Sequence, residues 1–143
     1  MKKIEKKIIG RREKASFPDL HLHGISVKID TGAYTSSIHC HDIQETGGVL
    51  ICKFLDPEHP EYKHKEFRFD VFERKSVKSS NGLIENRYKI ITRIELGGHI
   101  YKISLTLADR GEMKYPVLLG RKFLSKKFIV DVSLKNQLNN NAE

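Results

Sequence analysis

The stretch that decides the fold is "KIDTGAYTSSIH", residues 28–39. Around its start, Ile25, Val27 and Ile29 alternate with small or polar residues, which predicts a half-buried strand that stops at Asp30. The chain then turns through a threonine and a glycine. An aspartate at this place is either a turn former or a working carboxylate, because a short acidic side chain suits both roles.

The residues after Asp30 suit a carboxylate that is held rigidly and exposed. Gly32 lets the backbone run close to another group without a Cβ clash. Thr31 supplies a hydroxyl that can tie neighbouring backbone together beneath the carboxylate. Ala33 continues this run of small residues. The loop therefore fits catalysis, although an isolated Asp-x-Gly is more often a plain turn.

Composition limits the class of protein. The chain has 143 residues, close to the ~150 of a single domain, and we expect one domain over residues 1–143 with flexible ends at 1–8 and 134–143. Hydrophobic residues make up 38% and charged residues 31%, which supplies a packed core and excludes a disordered chain. The net charge of +8 favours anionic partners: nucleic acid, an anionic membrane or an acidic polypeptide.

The cysteines and the hydropathy indicate where the protein works. With only two cysteines, Cys40 and Cys52, the chain lacks the framework of a disulfide-stabilised secreted domain. Residues 1–14 are charged and have no apolar segment of a signal peptide. No run approaches the ~18 apolar residues of a membrane span. We therefore expect a cytoplasmic protein without a membrane partner.

Short apolar or alternating runs dominate the rest of the chain. They predict strands at 24–30, 48–55, 66–72, 85–96, 99–107, 115–120 and 127–132. Gly97-Gly98 predicts a two-residue hairpin turn, and Asn81-Gly82 predicts the tip of a hairpin loop over 74–85. One short helix is expected within 120–128. So many short strands favour an all-β barrel or sandwich.

A second informative segment is "YPVLLGRKFL", residues 115–124. It contains an apolar strand, a glycine, an arginine and a short helical stretch, in that order. Together with Asp-Thr-Gly-Ala at 30–33, this segment resembles the retropepsin-like aspartic proteases, whose signature has the same two parts. The predicted hairpin at Asn81-Gly82 stands where that family has its flap.

The resemblance is closer to one bacterial family, which is named ATP-dependent zinc proteases although its members are retropepsin-like. The shared motifs are "IGRREKASFPDL" (9–20), "KIDTGAYTSSIH" (28–39), "SVKSSNGLIENRYKI" (76–90) and "LADRGEMKYPVLLGRKFL" (107–124). The resemblance covers residues 9–131, almost the whole chain. It implies an all-β, retropepsin-like closed barrel with one short C-terminal helix.

The resemblance also implies an aspartic peptidase that works as a homodimer. Peptide hydrolysis by this route needs two carboxylates that share one proton around a water. The chain has a single Asp-Thr-Gly, because Asp70, Asp109 and Asp131 lack a following Thr-Gly turn. The partner carboxylate is therefore expected to be Asp30 of a second copy across a two-fold axis. The expected catalytic residues are Asp30, Thr31 and Gly32.

Candidate substrate contacts follow from the same resemblance and, for the two arginines, from the basic residues around the flap and the later motifs. The expected substrate-binding residues are Ala33, the flap residues Ser79, Ser80, Asn81 and Gly82, and Arg110 and Arg121. The sequence departs from the retroviral pattern at Tyr34, where an acidic residue usually pairs with the arginine of the Gly-Arg segment. The ion pair of Arg121 is thereby in question, and this arginine is a candidate partner for a substrate carboxylate. The flap tip is also less rich in glycine.

The histidines raise the question of a metal. In His21-x-His23 and His39-Cys40-His41, residues i and i+2 of a strand share a face, so either pair could contact an ion. The chain has no His-Glu-x-x-His and no Cys-x-x-Cys. It also has no glycine-rich loop followed by Lys-Ser/Thr, which an ATP site of that type needs. We therefore expect no metal, no ATP and no other cofactor.

Basic residues concentrate around the flap and the later motifs. They form either an ordinary solvated surface, the commonest place for lysine and arginine, or a cleft that recognises an acidic chain through bidentate arginine contacts. The family is associated with ligases that append glutamates to proteins. The resemblance therefore points to a glutamate-rich peptide as the substrate to test first.

The alternative function is a non-catalytic basic β-barrel that binds acidic protein segments or RNA, with Asp30 as a relic. Aromatic residues are only 8% of the chain, with no tryptophan, and no interleaved aromatic and basic pattern for RNA stacking is present. A nucleic-acid partner is therefore not expected. Salt-dependent RNA affinity without hydrolysis of any peptide would favour this alternative.

Overall fold

The structure is a computed structural model that describes residues 5–78, 81–109 and 115–138. Its strands are β1 (Lys7–Ile9), β2 (Arg12–Phe17), β3 (Leu22–Ile29), β4 (Ser36–Thr46), β5 (Val49–Phe54), β6 (Phe67–Phe69), β7 (Glu73–Lys78), β8 (Ile84–Leu96), β9 (His99–Ala108), β10 (Val117–Leu119) and β11 (Phe128–Val130). Helical structure in these ranges is limited to a 3-10 turn (Pro18–Leu20) and to α1 (Arg121–Leu124).

Six of the strands close into a barrel. Antiparallel pairs join β3 to β2, β2 to β8 and β8 to β9, and β9 pairs in parallel with β4. The short strand β10 completes the ring, because it runs parallel to β3 through Leu119 and Ile29 and antiparallel to β4 through Val117 and Ile38. The predicted all-β closed barrel with one short helix late in the chain is confirmed.

Alternate residues of the barrel strands form the core. Ile25, Val27 and Ile29 of β3 are buried, as their alternation predicted, and Ile90 and Ile94 of β8 belong to the same cluster. Removing each such side chain from water contributes about 1.5–3 kcal/mol to folding. The strand that leads to Asp30 is therefore fixed on its inner face by the core.

A hairpin projects from the barrel ahead of β8. The first half of β8 pairs with β7, from Glu73 opposite Lys89 to Lys78 opposite Ile84. Gly82 at the tip has a φ of 85°, the positive value that a tight hairpin turn requires. The predicted hairpin tip is confirmed, but β7 occupies much of the segment that the sequence predicted to be loop.

The residue pattern does not predict strand β4. Its pairing with β5 shifts register between His41 and Gln44, and Asp42 has a φ of 53°. A bulge of this kind reverses the two faces in mid-strand, so no single alternation runs through the segment. β2 was not predicted either, and β6 is shorter than the predicted strand at 66–72.

The two ends of the described chain are packed. β1 and β11 form a separate parallel two-stranded sheet, in which Ile8 lies opposite Ile129. After it, the N–H of Arg11 donates to the carbonyl of Leu134 at 2.8 Å, and Leu138 is buried. The sequence predicted a flexible end from residue 134, whereas residues 134–138 lie against β2.

A buried glutamate holds this end. Glu13 of β2 is 0% exposed, and its carboxylate accepts the N–H groups of Gly10 at 2.8 Å and of Gln137 and Leu138 at 3.0 Å. Three charge-assisted hydrogen bonds compensate the loss of hydration that a buried carboxylate suffers.

Across the described ranges, no helix has the length and apolar character needed to cross a membrane.

Candidate active site

Asp30 lies where β3 leaves the barrel wall. Its N–H donates to the carbonyl of Leu119 at 2.8 Å, which extends the pairing of β3 with β10 by one residue. Its own carbonyl accepts the N–H of Ala33 at 3.2 Å, and its carboxylate Oδ1 accepts the N–H of Gly32 at 3.1 Å. Backbone groups on both sides therefore fix the carboxylate, which stays partly exposed.

The segment that opens α1 supports this loop (residues 30–33), which we call the catalytic loop after the role predicted for Asp30. The N–H of Arg121 donates to the carbonyl of Ala33, and the N–H of Lys122 donates to the carbonyl of Tyr34, both at 2.9 Å. The late Gly-Arg motif and the early Asp-Thr-Gly-Ala motif therefore form one hydrogen-bonded unit, although they are far apart in sequence.

Gly120 makes the close contact between these two motifs possible. A Cβ at this position would lie 2.4 Å from the carbonyl oxygen of Thr35, so only glycine fits without a shift of the backbone. The N–H of Gly120 donates to Oγ of Ser36 at 3.0 Å, and both residues are buried. This hydrogen bond fixes the chain just after the catalytic loop to the junction of β10 and α1.

The side chain of Arg121 also supports the loop. Its Nη1 donates to the carbonyl of Thr31 at 3.0 Å, and its guanidinium carbon lies 5.8 Å from the ring centroid of Tyr34, within the range of a cation–π contact. Arg121 thus keeps a structural role although the acidic partner of the retroviral pattern is absent. Its predicted contact with a substrate carboxylate stays a prediction.

The outer face of the catalytic loop is open. Thr31 and Gly32 are exposed, and a Cβ at Gly32 would have Oδ1 of Asp30 as its near neighbour, at an ordinary contact distance of 3.4 Å. Apart from Gly32 and its two chain neighbours, no other described residue has an atom within 4 Å of that point. No other segment of the described chain approaches Gly32, so the close approach predicted for this residue stays a prediction. Ala33 is partly buried.

The described part of the predicted flap is exposed. Asn81 and Gly82 lie at the hairpin tip, and Oδ1 of Asn81 accepts the N–H of Leu83 at 3.3 Å. The side chains of Leu83 and Ile84 are 67% and 73% exposed, which is high for large apolar residues. The predicted substrate contacts that lie outside the described residues are Ser79, Ser80 and Arg110.

Asp131, one of the other aspartates considered from sequence, has a structural role. Its Oδ1 accepts the N–H and the hydroxyl of Ser133, at 2.9 and 2.6 Å. The hydroxyl hydrogen bond, followed by the N–H hydrogen bond, lowers the pKa of the Asp131 carboxyl below its ordinary value. This carboxylate therefore fixes the turn after β11.

The histidine pairs are not assembled into a metal centre in the described chain. No group of three or more His, Cys, Asp or Glu side chains there is placed to hold an ion. His39 is buried with Nδ1 3.1 Å from the carbonyl of Ala108, and Nε2 of His41 lies 3.0 Å from the hydroxyl of Tyr62. The pair at 21 and 23 is exposed.

The sequence matches the profile of the RimB-like family, described as retropepsin-like aspartic endopeptidase RimB, over residues 8–140. The chain belongs to the RimB-like family. The match includes both motifs that meet at Asp30, and it confirms the retropepsin-like family that the sequence motifs indicated.

Curated relatives of this RimB-like chain have the names of ligases. A probable alpha-L-glutamate ligase of Shewanella halifaxensis (strain HAW-EB4) is 41% identical over 130 residues, which cover 88% of the chain and 28% of that protein. A protein of the same name from Desulfotalea psychrophila (strain LSv54 / DSM 12343) is 34% identical over 136 residues, covering 92% and 29%. The chain thus spans less than a third of these relatives.

A solved structure shares the fold of the RimB-like chain. The crystal structure of Lpg0085 from Legionella pneumophila, described as a protein with unknown function, superposes with a TM-score of 0.65 at 29% identity. The similarity covers 94% of this chain and 99% of that one. It therefore extends over the whole barrel and not only over the motifs at the site.

Two supporting residues of the RimB-like site were not singled out from sequence. Gly120 was visible only as part of a Gly-Arg motif, and the signal that marks it is its place between a strand and a helix, where backbones approach closely. Ser36 gave no signal, because a serine in a polar stretch does not reveal that its hydroxyl accepts the N–H of Gly120.

Proposed function

We propose that the chain is an aspartic endopeptidase that hydrolyses peptide bonds between the two Asp30 carboxylates of a homodimer. The observation that carries this proposal is the Asp30 loop, in which the carboxylate accepts the N–H of Gly32 at 3.1 Å and remains partly exposed. Membership of a retropepsin-like family supports the reaction class. The single loop supplies one carboxylate and the reaction uses two, so a second copy supplies the other.

The two carboxylates take different roles in this mechanism. Two like charges ~3 Å apart cannot both ionise, so the pair keeps one proton. Ionised Asp30 accepts a proton from the attacking water, while protonated Asp30 of the partner subunit donates a hydrogen bond to the substrate carbonyl. The water oxygen adds to the carbonyl carbon, and transfer of the abstracted proton to the amide nitrogen lets the C–N bond break.

An exposed apolar surface supports the dimer. We call it the end-sheet surface: Ile8 and Ile129, which lie opposite each other on β1 and β11 and are each 53% exposed, and Val132, which is 69% exposed. Covering such side chains gains about 25 cal/mol per Å² of apolar surface. In the described chain β1 and β11 pair only with each other, so each also has an open edge for a second copy.

The proposed substrate is a glutamate-rich peptide. The net charge of +8 attracts acidic chains. The relatives named alpha-L-glutamate ligase contain a segment similar to this chain within one longer polypeptide, which suits a ligase and a peptidase that act on the same glutamate polymer. Arg121 uses one N–H on Thr31, and a guanidinium has five, so it can still bind a substrate carboxylate, as we propose for Arg110 also.

The proposed flap covers the bound peptide. The predicted flap residues 79–82 and Ala33 of the catalytic loop are assigned to the substrate backbone by analogy with the family. Leu83 and Ile84, whose apolar side chains are exposed in this single chain, would contact the substrate or the second copy. Burial of these two side chains on binding would supply a favourable apolar contribution.

Replacing the proposed catalytic carboxylate tests the reaction. We expect Asp30→Asn to lower the kcat for hydrolysis of a poly-glutamate peptide by about 10²–10⁴-fold, because an amide cannot accept the proton of the water. Asp70→Asn removes an exposed carboxylate on the bend after β6 and should leave kcat unchanged. Full activity of Asp30→Asn would rule out the proposed mechanism.

The substrate class needs a separate measurement. A poly-glutamate peptide should be cut faster than a neutral peptide of equal length, and the difference should shrink as salt screens the basic cleft. Equal cleavage of both peptides would contradict the acidic substrate while leaving the peptidase intact. Absence of any cleavage, together with salt-dependent RNA binding, would instead favour the alternative function, a non-catalytic basic β-barrel that binds RNA or acidic protein segments.

A further inference from the structure

A cavity of about 200 Å³ lies next to the catalytic loop, and its walls carry four lysines. This lysine pocket is defined by Lys89, Lys102, Lys122 and Lys127. Thr35, which follows the catalytic loop closely, also lines it. None of the described residues that line the pocket is acidic.

The positive charge of the pocket is only partly compensated. Lys89 pairs with Glu73 at 3.1 Å, and Nζ of Lys127 donates to the carbonyl of Phe123 at 2.9 Å. Lys102 and Lys122 are exposed and form no ion pair with any residue that the structure describes. Like charges gathered around one cavity repel each other, so an anion bound there is stabilised by all of them.

The size and the lining select the kind of anion. A volume of about 200 Å³ is below the ~300–1,000 Å³ of a pocket for a drug-sized ligand, so it suits one carboxylate-bearing side chain. Hydroxyl groups of Ser36 and Ser104 add possible donors, while Ile103 and Phe123 add apolar surface. Ammonium groups and hydroxyls complement a carboxylate, and the apolar surface complements its methylenes.

We infer that the lysine pocket binds a glutamate side chain of the peptide substrate, away from the scissile bond. For its occupant this inference rests on the proposed function. The position of the pocket supports it: Thr35 lies just past the catalytic loop, and Lys122 holds the carbonyl of Tyr34 through its own N–H. The pocket and the catalytic loop are therefore joined through the same backbone contact, and in this proposal the peptide extends from Asp30 past Thr35 to the lysines.

The test measures binding without cleavage. A fluorescently labelled octaglutamate peptide is titrated with the full chain carrying Asp30→Asn, and the anisotropy gives Kd. Adding Lys102→Glu and Lys122→Glu should raise Kd about tenfold or more, since two attractive contacts become repulsive. The matched control, Lys65→Glu with Lys135→Glu, reverses two exposed lysines outside the pocket and should change Kd by about twofold or less.

Further measurements separate the pocket from the catalytic proposal. In the chain that keeps Asp30, the pocket variant should raise KM for the acidic peptide and leave kcat unchanged, and Lys102→Gln with Lys122→Gln should have a smaller effect in the same direction. If no peptide is cleaved at all, the proposed function fails, yet the anisotropy still decides the pocket. Equal Kd values for the pocket and control variants overturn the inference. The inference is also overturned if the pocket substitutions weaken the binding of inorganic phosphate but leave the Kd of the peptide unchanged.

Discussion

At the residue scale, the position of the proposed catalytic carboxylate, Asp30, depends on Gly120. This residue lies against the backbone of Thr35, where a Cβ would be 2.4 Å from the carbonyl oxygen. Its own φ is −93°, which any residue adopts, so the requirement for glycine comes from the contact and not from the backbone angle. A side chain added at Gly120, between β10 and α1, would therefore change the geometry of the catalytic loop.

We expect Gly120→Ala to lower the free energy of unfolding by about 1–3 kcal/mol, because the added methyl overpacks a buried backbone contact. Hydrolysis should fall as well, since the loop that carries Asp30 must move. Gly32→Ala is the matched control for stability: its Cβ meets only Oδ1 of Asp30 at 3.4 Å, so urea unfolding should change by less than about 0.5 kcal/mol. A Gly120→Ala chain as stable as wild type would disprove the tight contact.

His59 makes a contribution to the stability of the folded chain that depends on pH. Burial, partly offset by the nearby Glu61 carboxylate, lowers the pKa of His59 below its ordinary value of 6.5. Nδ1 of His59 accepts the N–H of Glu61 at 3.0 Å, a contact that the protonated ring cannot make. Its stabilising contribution is therefore complete above pH 6.5 and is lost as the pH falls through the folded pKa.

The His59 prediction can be checked by NMR. The ring resonances of His59 should titrate below pH 6.5 in the folded chain and return to about 6.5 in urea. A folded midpoint at or above 6.5 would show that this imidazole is not desolvated.

At the scale of elements, β2 connects the barrel to the last described residues. Glu13 belongs to a strand whose inward residues are otherwise apolar, and its carboxylate is buried with three backbone N–H partners. Two of these partners, Gln137 and Leu138, come from the C-terminal side of β11. The segment that follows β11 is thus held by this side chain together with backbone hydrogen bonds to Arg11 and Arg12.

Removing that carboxylate should destabilise the protein. We expect Glu13→Ala to lower the free energy of unfolding by about 3–5 kcal/mol, because two buried N–H groups and one partly buried N–H group lose their acceptor at about 1–3 kcal/mol each before relaxation. Glu13→Gln keeps one acceptor oxygen and should lose less. Urea unfolding measures both variants, and equal stability of Glu13→Ala and wild type would show that the N–H groups reach water instead.

At the scale of the whole molecule, the proposed reaction needs a second chain, because one chain has a single Asp-Thr-Gly. The catalytic loop presents Thr31 and Gly32 outward, and the end-sheet surface presents Ile8 and Ile129. The proposed second copy would supply the other carboxylate and cover the exposed apolar side chains. Assembly and catalysis should therefore be lost together.

We expect Ile129→Lys to shift the protein towards monomer, with a rise of about tenfold or more in the dimer Kd, since a charge in an apolar interface core loses its hydration. Sedimentation at several concentrations measures this shift, and the specific activity should fall most at low enzyme concentration. Ile100→Lys is the control, because Ile100 is 57% exposed on β9. A dimeric and active Ile129→Lys variant would place the interface elsewhere.

Much of the barrel could be predicted from local sequence. Ile25, Val27 and Ile29 alternate along β3, and Gly97-Gly98 turns β8 into β9, so period and turn chemistry are enough for these elements. The Asp30 loop was recognisable for the same reason: the aspartate and the glycine that binds its carboxylate are two residues apart.

Tertiary structure alone decided the rest. The bulge at Asp42 hid β4 because it reverses the faces of the strand, and the partners of Glu13 come from the far end of the chain. The approach of Gly120 to Thr35 and the gathering of four lysines around one cavity depend in the same way on barrel closure. Hydrogen bonds and close contacts between distant residues leave no period in either segment. The sequence by itself therefore determined the regularly alternating strands and the candidate carboxylate, whereas the fold decided the irregular strand β4 and the contacts that support the site.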